Sequence, residues 1–393
     1  MNTRAASLVR ERREAQRASL QELFFDLAFV AALAQMSGRL ATSVTGGGAL
    51  QALLSLLAVW WIWSITAAMT DVYDPDRKPI QVALVGSMVG TLLMAAALPA
   101  ALGRHSLIFG TTNVAVHVGR ALLLITALRG HPAQGRAAHY LAWFGATGAL
   151  WIIGTQEHGA IRPVLWGIAL AVDYVAYALR YPLPRFGGLP FSHYDRSGTH
   201  LGERYQQIMI IALGDLILVP TLEFSRTEFT PVRTFAFVGV FVKTALLWQI
   251  YVSRAGAVIQ AVNDRSPSRV VRWAPYTHLV MISGVVAMAA AAELVIRRPT
   301  GSTPAAWVVA FFAGPILFLL GRSAFEFEVF RRVSRSRVAF LLLLVGMAPE
   351  MVFVPPVIAE LFIALVLLSV AIVDALRTHR ARQGNVEELP STP

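Results

Sequence analysis

Glu22 and Asp26 open the first long apolar stretch of the chain, in ELFFDLAF, one helical turn apart and so on one face of a helix. Two carboxylates in that arrangement can hold a cation, share a proton or pair with a buried base. An ionisable side chain near the centre of a bilayer costs at least about 2.5 to 3.5 kcal/mol, so such groups face a partner or water inside a helical bundle. Glu22 also has a structural explanation, because the exposed amides of a helix N-terminus favour an acid in the first turn. Asp26 lies one turn deeper, after Phe24 and Phe25, and is expected to point inward.

A second group of the same kind lies in THLGERYQQIMIIALGD, which brings His200, Glu203 and Arg204 to a helix mouth and Asp215 deep into the same segment. His200 and Glu203, at i and i+3, are neighbours on a helix. That spacing serves a metal, a proton relay or simply a helix start. Asp71 in AAMTDVYDPDRKP, Asp173 in GIALAVDYVAYAL and His278 are further candidates for the same polar interior. Deeper positions are His117 and Arg120, then Asp215 and Lys243, where ion pairing of Asp215 with Lys243 or Arg120 is the structural alternative to transport chemistry. His200 and Asp215, like His278 and Glu293, are fifteen residues apart; one helix face can carry both members of each pair, although coincidence accounts for them equally. Trp60, Trp61 and Trp63 read as packing or interfacial anchors rather than a cofactor cage, and GSMVG at 86–90 reads as a site of close helix packing.

These residues need apolar helices to hold them. Of the 393 residues 56% are hydrophobic and 15% charged, and mean hydropathy is +0.58, against about a quarter charged in a soluble protein. Apolar runs of roughly 17 to 25 residues, enough to cross a hydrocarbon core of about 30 Å, recur along the chain. The expected fold is all-α, a polytopic transmembrane bundle of about 12 spans. They are drawn at 20–39, 48–70, 80–101, 106–128, 138–156, 163–180, 205–222, 233–253, 275–296, 304–321, 338–354 and 356–376. Pro349, Pro355 and Pro356 either turn the chain between the last two or break a single re-entrant segment.

Most of the 34 Lys and Arg residues lie in short segments that alternate with less basic ones. The positive-inside rule then places both termini in the cytoplasm, in the cell membrane. Residues 1–19 form a cytoplasmic segment without a signal peptide, 20–376 the membrane domain and 377–393 a cytoplasmic tail. Possible halves at 20–181 and 200–376 echo each other weakly, LQELFFDLAFVAALAQ with LGERYQQIMIIALGD, as a parallel six-plus-six repeat would. The net charge of +11 is explained by topology and not by nucleic acid. With no cysteine, thiolate nucleophiles, disulfides and sulfur ligands are excluded.

ELFFDLAFVAALAQ, WWIWSITAAMTDVYDPD, HLGERYQQIMIIALGD and the region of Tyr251 together resemble the bacterial low temperature requirement A family of multi-pass membrane proteins, over most of the chain. The resemblance implies that Glu22 and Asp26 are the family's opening acid pair and that His200, Glu203 and Arg204 form its second motif. Two positions depart: Gly214-Asp215-Leu216 stands where the family has Gly-Glu-Ser, and Tyr251-Val252-Ser253 where it has Tyr-Phe-Asp.

Three functions fit these residues. The first is a permease or ion/proton-coupled transporter that binds a small solute, proton or cation through Glu22, Asp26, Asp71, His117, Asp173, His200, Glu203, Arg204, Asp215 and His278. The second is an intramembrane enzyme with a metal on Asp26, His200, Glu203 and His278, which lacks support from any HExxH or phosphate-cradling motif. The third is a membrane scaffold or stress-related sensor whose polar core fixes helix packing. Membrane lipids are the expected partners, and no cofactor is assigned.

Overall fold

The computed structural model describes residues 3–10, 18–184, 187–189, 198–252 and 267–387. Helices account for nearly all of it: α1 Leu20–Thr42, α2 Gly46–Val72, α3 Lys78–Ala97, α4 Ser106–Ala127, α5 Gln134–Gln156, α6 Ile161–Ala178, α7 Gly198–Leu213, α8 Asp215–Ser225, α9 Pro231–Val252, α10 Pro267–Arg297, α11 Ala305–Phe330, α12 Arg335–Met347 and α13 Pro356–Glu387. Among the described residues the only extended pairings are isolated bridges, such as Val9 with Tyr73.

Ten helical segments are long and apolar enough to cross a membrane, with α7 and α8 together making one of them, His200–Ser225. The fifth expected span is present as α5, but is not among the ten. The eleventh is a broken element. The thirteen residues of α12 rise only about 20 Å, less than the roughly 30 Å of a hydrocarbon core. A 3₁₀ turn, Pro349–Phe353, follows before Pro356 starts α13, so the prolines interrupt this region as their missing amides require.

The chain divides into two compact units, one of residues 1–211 with 262–279 and the other of 212–261 with 280–393. In the first, α2 is central, with 83% of its spanning window buried against 39% for α4. Helix α1 lies against α2 and α3, and α4, α5 and α6 follow one another in contact. The close packing expected of GSMVG falls on its last residue: a Cβ at Gly90 would lie 2.2 Å from Val116 Cγ2, whereas Gly86 has open space. The three tryptophans are fully buried in this unit, so they are core packing and not interfacial anchors.

In the second unit α9 lies against α8 and α13, and α11 against α12 and α13. Gly284 and Gly314 let α10 and α11 approach closely, since a Cβ at Gly284 would stand 2.5 Å from the Gly314 carbonyl oxygen. Such backbone contact is a way helices associate in lipid, where apolar side chains gain little by leaving the solvent.

The start of α1 shows how local sequence sets the position of the first acid. Ser19 is the N-cap, its Oγ accepting from the Glu22 amide at 3.3 Å while Glu22 Oε2 accepts from the Ser19 amide at 2.8 Å. This capping box fixes both the helix start and the Glu22 rotamer. Ser19→Ala is expected to lower stability by about 1 kcal/mol, read as a lower thermal-unfolding midpoint of the purified protein; an unchanged midpoint would deny the cap any part in holding α1.

Candidate functional site

The first unit gathers polar side chains from α1, α2 and α7. Glu22 and Asp26 on α1 are both 0% exposed, as is Arg204 on α7, and His200 is 1% exposed. Arg204 grips Asp26 through two parallel bonds, Nη1 donating to Oδ2 at 2.9 Å and Nη2 to Oδ1 at 2.8 Å. This fork geometry is the strongest form of a charge-assisted pair. Trp63 on α2 adds a third donor, its Nε1 reaching Asp26 Oδ1 at 2.8 Å. Asp26 is therefore saturated by fixed donors.

One turn earlier on each helix the chemistry differs. His200 lies with Nε2 3.3 Å from Glu22 and Nδ1 3.3 Å from Asp71 Oδ1. A neutral imidazole has one N–H and one acceptor nitrogen, so it can donate to only one of two ionised carboxylates. Satisfying both contacts takes one more proton, on the ring or on a carboxyl. Arg204 Nε stands 3.8 Å from Glu22 Oε1, which couples this group to Asp26.

Arg10 completes the cluster. Its backbone amide donates to the Val72 carbonyl at 3.1 Å, and the Asp74 amide donates to Leu8 at 3.0 Å. This short antiparallel pairing with the end of α2 brings Arg10 Nη2 to 3.6 Å from Glu22 Oε2. Three carboxylates (Glu22, Asp26, Asp71) thus meet two guanidiniums (Arg10, Arg204). With His200 neutral the net charge is −1, and one added proton or monovalent cation brings it to zero.

Behind the cluster is an aromatic layer. Trp63 stacks on Trp60 with ring centroids 4.8 Å apart, and Tyr205 meets Trp63 edge-on at 5.3 Å. Arg204 lies 5.8 Å from the Trp63 ring centroid, a cation–π contact that is stronger for being buried. His278 lies beyond, against Tyr205 at 4.6 Å, with Nδ1 donating to the Ala274 carbonyl at 3.0 Å. His278 thus meets Tyr205, whose ring in turn meets Trp63, the donor to Asp26.

Other expected site residues also fall elsewhere. Glu203 is half-buried and makes no hydrogen bond or ion pair among the described residues. Asp26, His200, Glu203 and His278 are not brought together, and among the described residues no group of three or more His, Asp or Glu is placed to hold a metal. Asp173 is buried but accepts from Thr147 Oγ1 at 2.8 Å, on α5, with no bond to the cluster.

Arg120 donates to Thr66 Oγ1 at 2.8 Å and to His117 Nδ1 at 2.9 Å, while Lys243 is ion-paired with Glu360. Lys243 thus has a carboxylate partner that the sequence did not suggest. Asp215 is fully buried in the first turn of α8, which restarts after Gly214. Glu293 pairs with Arg297 within α10. Ser253, one of the departures from the family pattern, lies outside the described residues.

Sequence reasoning missed Trp63, Arg10 and Glu360 as partners of the buried charges. Trp63 had a signal, because an indole N–H buried in a bundle needs an acceptor. The other two were hidden by ordinary surroundings, a basic run for Arg10 and an apolar helix for Glu360.

Many apolar helices and a buried set of ionisable groups define a multi-pass membrane protein with an ionisable interior. The family model for the bacterial low temperature requirement A protein matches residues 17–372, and the chain belongs to that family. An uncharacterized protein of Rhizobium meliloti (strain 1021), RA0937, is 32% identical over 374 residues, covering 93% of this chain and 90% of the relative. No solved structure matches the chain.

Proposed function

We propose that this protein is a proton-coupled permease of the cell membrane, with both termini cytoplasmic, whose coupling site is His200 between Glu22 and Asp71. One observation carries the reading: both ring nitrogens of a buried histidine face carboxylate oxygens 3.3 Å away, inside a cluster that needs one extra positive charge to be neutral. A cationic solute or metal ion arriving at Glu22 and Asp71 replaces that charge and releases the proton. Exchange of one monovalent cation for one proton is the simplest stoichiometry. Intramembrane ionisable groups of this kind mark ion and proton pathways in other transporters.

In this reading the coupling group is His200 and not Asp26. Asp26, with three donors already on it, serves to hold Arg204 and so to set the field at Glu22. The remaining expected sites, His117, Asp173, Glu203, Asp215 and His278, are outside this proposal.

Liposomes holding the purified protein and a pH-sensitive dye test it, with sodium, potassium or an organic ammonium gradient imposed. Wild-type protein is expected to move protons against at least one of these cations, and His200→Gln to reduce that flux at least tenfold while keeping the wild-type elution profile. Proton movement that is absent with every cation, or full flux in His200→Gln, would sink the proposal.

A further inference from the structure

An open groove of about 440 Å³ runs between α3 and α4. Its walls reach from Val82 to Leu93 on α3 and from Thr112 to Leu123 on α4, about 17 Å along each helix. That is close to the depth of one leaflet, half of a hydrocarbon core of roughly 30 Å. Small residues hollow it out, among them Ala83, Gly86, Ala115 and Gly119, and a Cβ at either glycine would meet nothing. Val82, Val89 and Leu93 stand exposed along it, so the surface offered to the membrane is apolar and concave.

Charge marks one end of it. Gly90 stands against Thr112 and Val116, and the two helices run antiparallel, with the start of α3 beside the end of α4. Lys78 lies four residues before Val82, and Arg129 six residues after Leu123. Both are exposed, and neither is in an ion pair among the described residues. Of the two acids in residues 74–82 and 123–131, Asp74 is bound by Arg77 at 3.1 Å, which leaves Asp76 beside two cations. Within the lining the charged residue is Arg120, toward this same end, and no carboxylate is present. At the other end the first charged residue is Arg104, eight residues before Thr112, about 12 Å at helical rise.

We propose that this groove binds one acyl chain of an anionic phospholipid, drawn from the leaflet on the Lys78 side, with its phosphate held by Lys78 and Arg129. Basic sites at the mouths of clefts between spanning helices recognise such headgroups. The dimensions favour a lipid over a second copy of this chain. A volume of 440 Å³ spread over about 17 Å leaves a mean cross-section of about 26 Å², roughly 5 Å across, where a helix is about 10 Å in diameter. One hydrocarbon chain enters such a groove and a helix does not. The site uses no residue of the Glu22–His200–Asp71 group, so it stands or falls apart from the transport reading.

The test is thermal unfolding of the full chain in detergent, titrated with dioleoyl phosphatidylglycerol or with dioleoyl phosphatidylcholine, which has the same chains and no net charge. Binding to the folded state raises the midpoint, and phosphatidylglycerol is expected to saturate that rise at a concentration at least fivefold lower than phosphatidylcholine. Gly86→Leu fills the groove from a position with open space and puts a good helix former in place of a poor one. It is expected to abolish the saturable rise. Lys78→Gln with Arg129→Gln, both at exposed positions, is expected to bring phosphatidylglycerol to the level of phosphatidylcholine. Equal wild-type responses to the two lipids, or an undiminished rise in Gly86→Leu or in the double variant, overturns the proposal. So does a shift of Gly86→Leu from dimer to monomer on elution, which would make the groove an interface between copies.

Discussion

Arg204→Ala is expected to be among the most destabilising single substitutions in the first unit, by about 3–5 kcal/mol. The cost comes less from the lost attraction than from what remains. Asp26 is 0% exposed and would keep only the Trp63 donor, while Glu22 would lose a second positive neighbour. A buried carboxylate without its counter-charge is the costly state. The double variant Asp26→Ala with Arg204→Ala removes both charges, so it is expected to be less destabilised than the sum of the two single changes, by up to about 3 kcal/mol. Trp63→Phe, which removes one donor to a charged group, costs about 1.5–3 kcal/mol by the same logic. Unfolding of the purified variants in nanodiscs checks all three. Additive effects of Asp26→Ala and Arg204→Ala would mean that the fork between them carries no coupling.

The site was partly legible because membranes make polar residues conspicuous. Glu22, Asp26, Asp71, His200 and Arg204 stand out against apolar neighbours, and the structure joins all five. Helix periodicity and topology put them at one end of the bundle. They do not say which acid meets which base, and that pairing decides the chemistry: the bidentate fork fell to Asp26 and the shared-proton geometry to Glu22 and Asp71. The neighbours of His278 were hidden for a related reason. It packs against Tyr205, whose ring also meets Trp60 and Trp63, and the sequence does not say which aromatic rings meet there.

The fold was more legible than the site. Helix starts follow from local signals, such as the Ser19 capping box and Thr45, whose hydroxyl accepts from the Gly48 amide. The region of α12 was ambiguous at the outset because prolines can turn a chain between two spans or break one span, and only the observed length of thirteen residues separates the two. Partners far apart in sequence were beyond reach. Nothing near Lys243 points to Glu360, since each is a lone charge in an apolar helix.

That pair supplies a test of whether the second unit's buried charges are structural. Lys243 and Glu360 have side chains 1% and 3% exposed, on α9 and α13, helices in extensive contact. Lys243→Met is expected to destabilise the protein by about 3–5 kcal/mol, because it leaves Glu360 buried without its counter-charge. Replacing both, with Lys243→Met and Glu360→Leu, substitutes apolar groups of similar volume for a desolvated ion pair. Such exchanges are often neutral or stabilising, so the double variant is expected to recover to within about 1 kcal/mol of wild type or to exceed it. If stability returns and proton-coupled flux is unchanged, the pair serves only to lock α9 against α13. If stability returns but flux is lost, the coupling site extends beyond His200, Glu22 and Asp71. A double variant as unstable as Lys243→Met alone would show instead that the two charges do not form an isolated pair, and that a third group depends on Glu360.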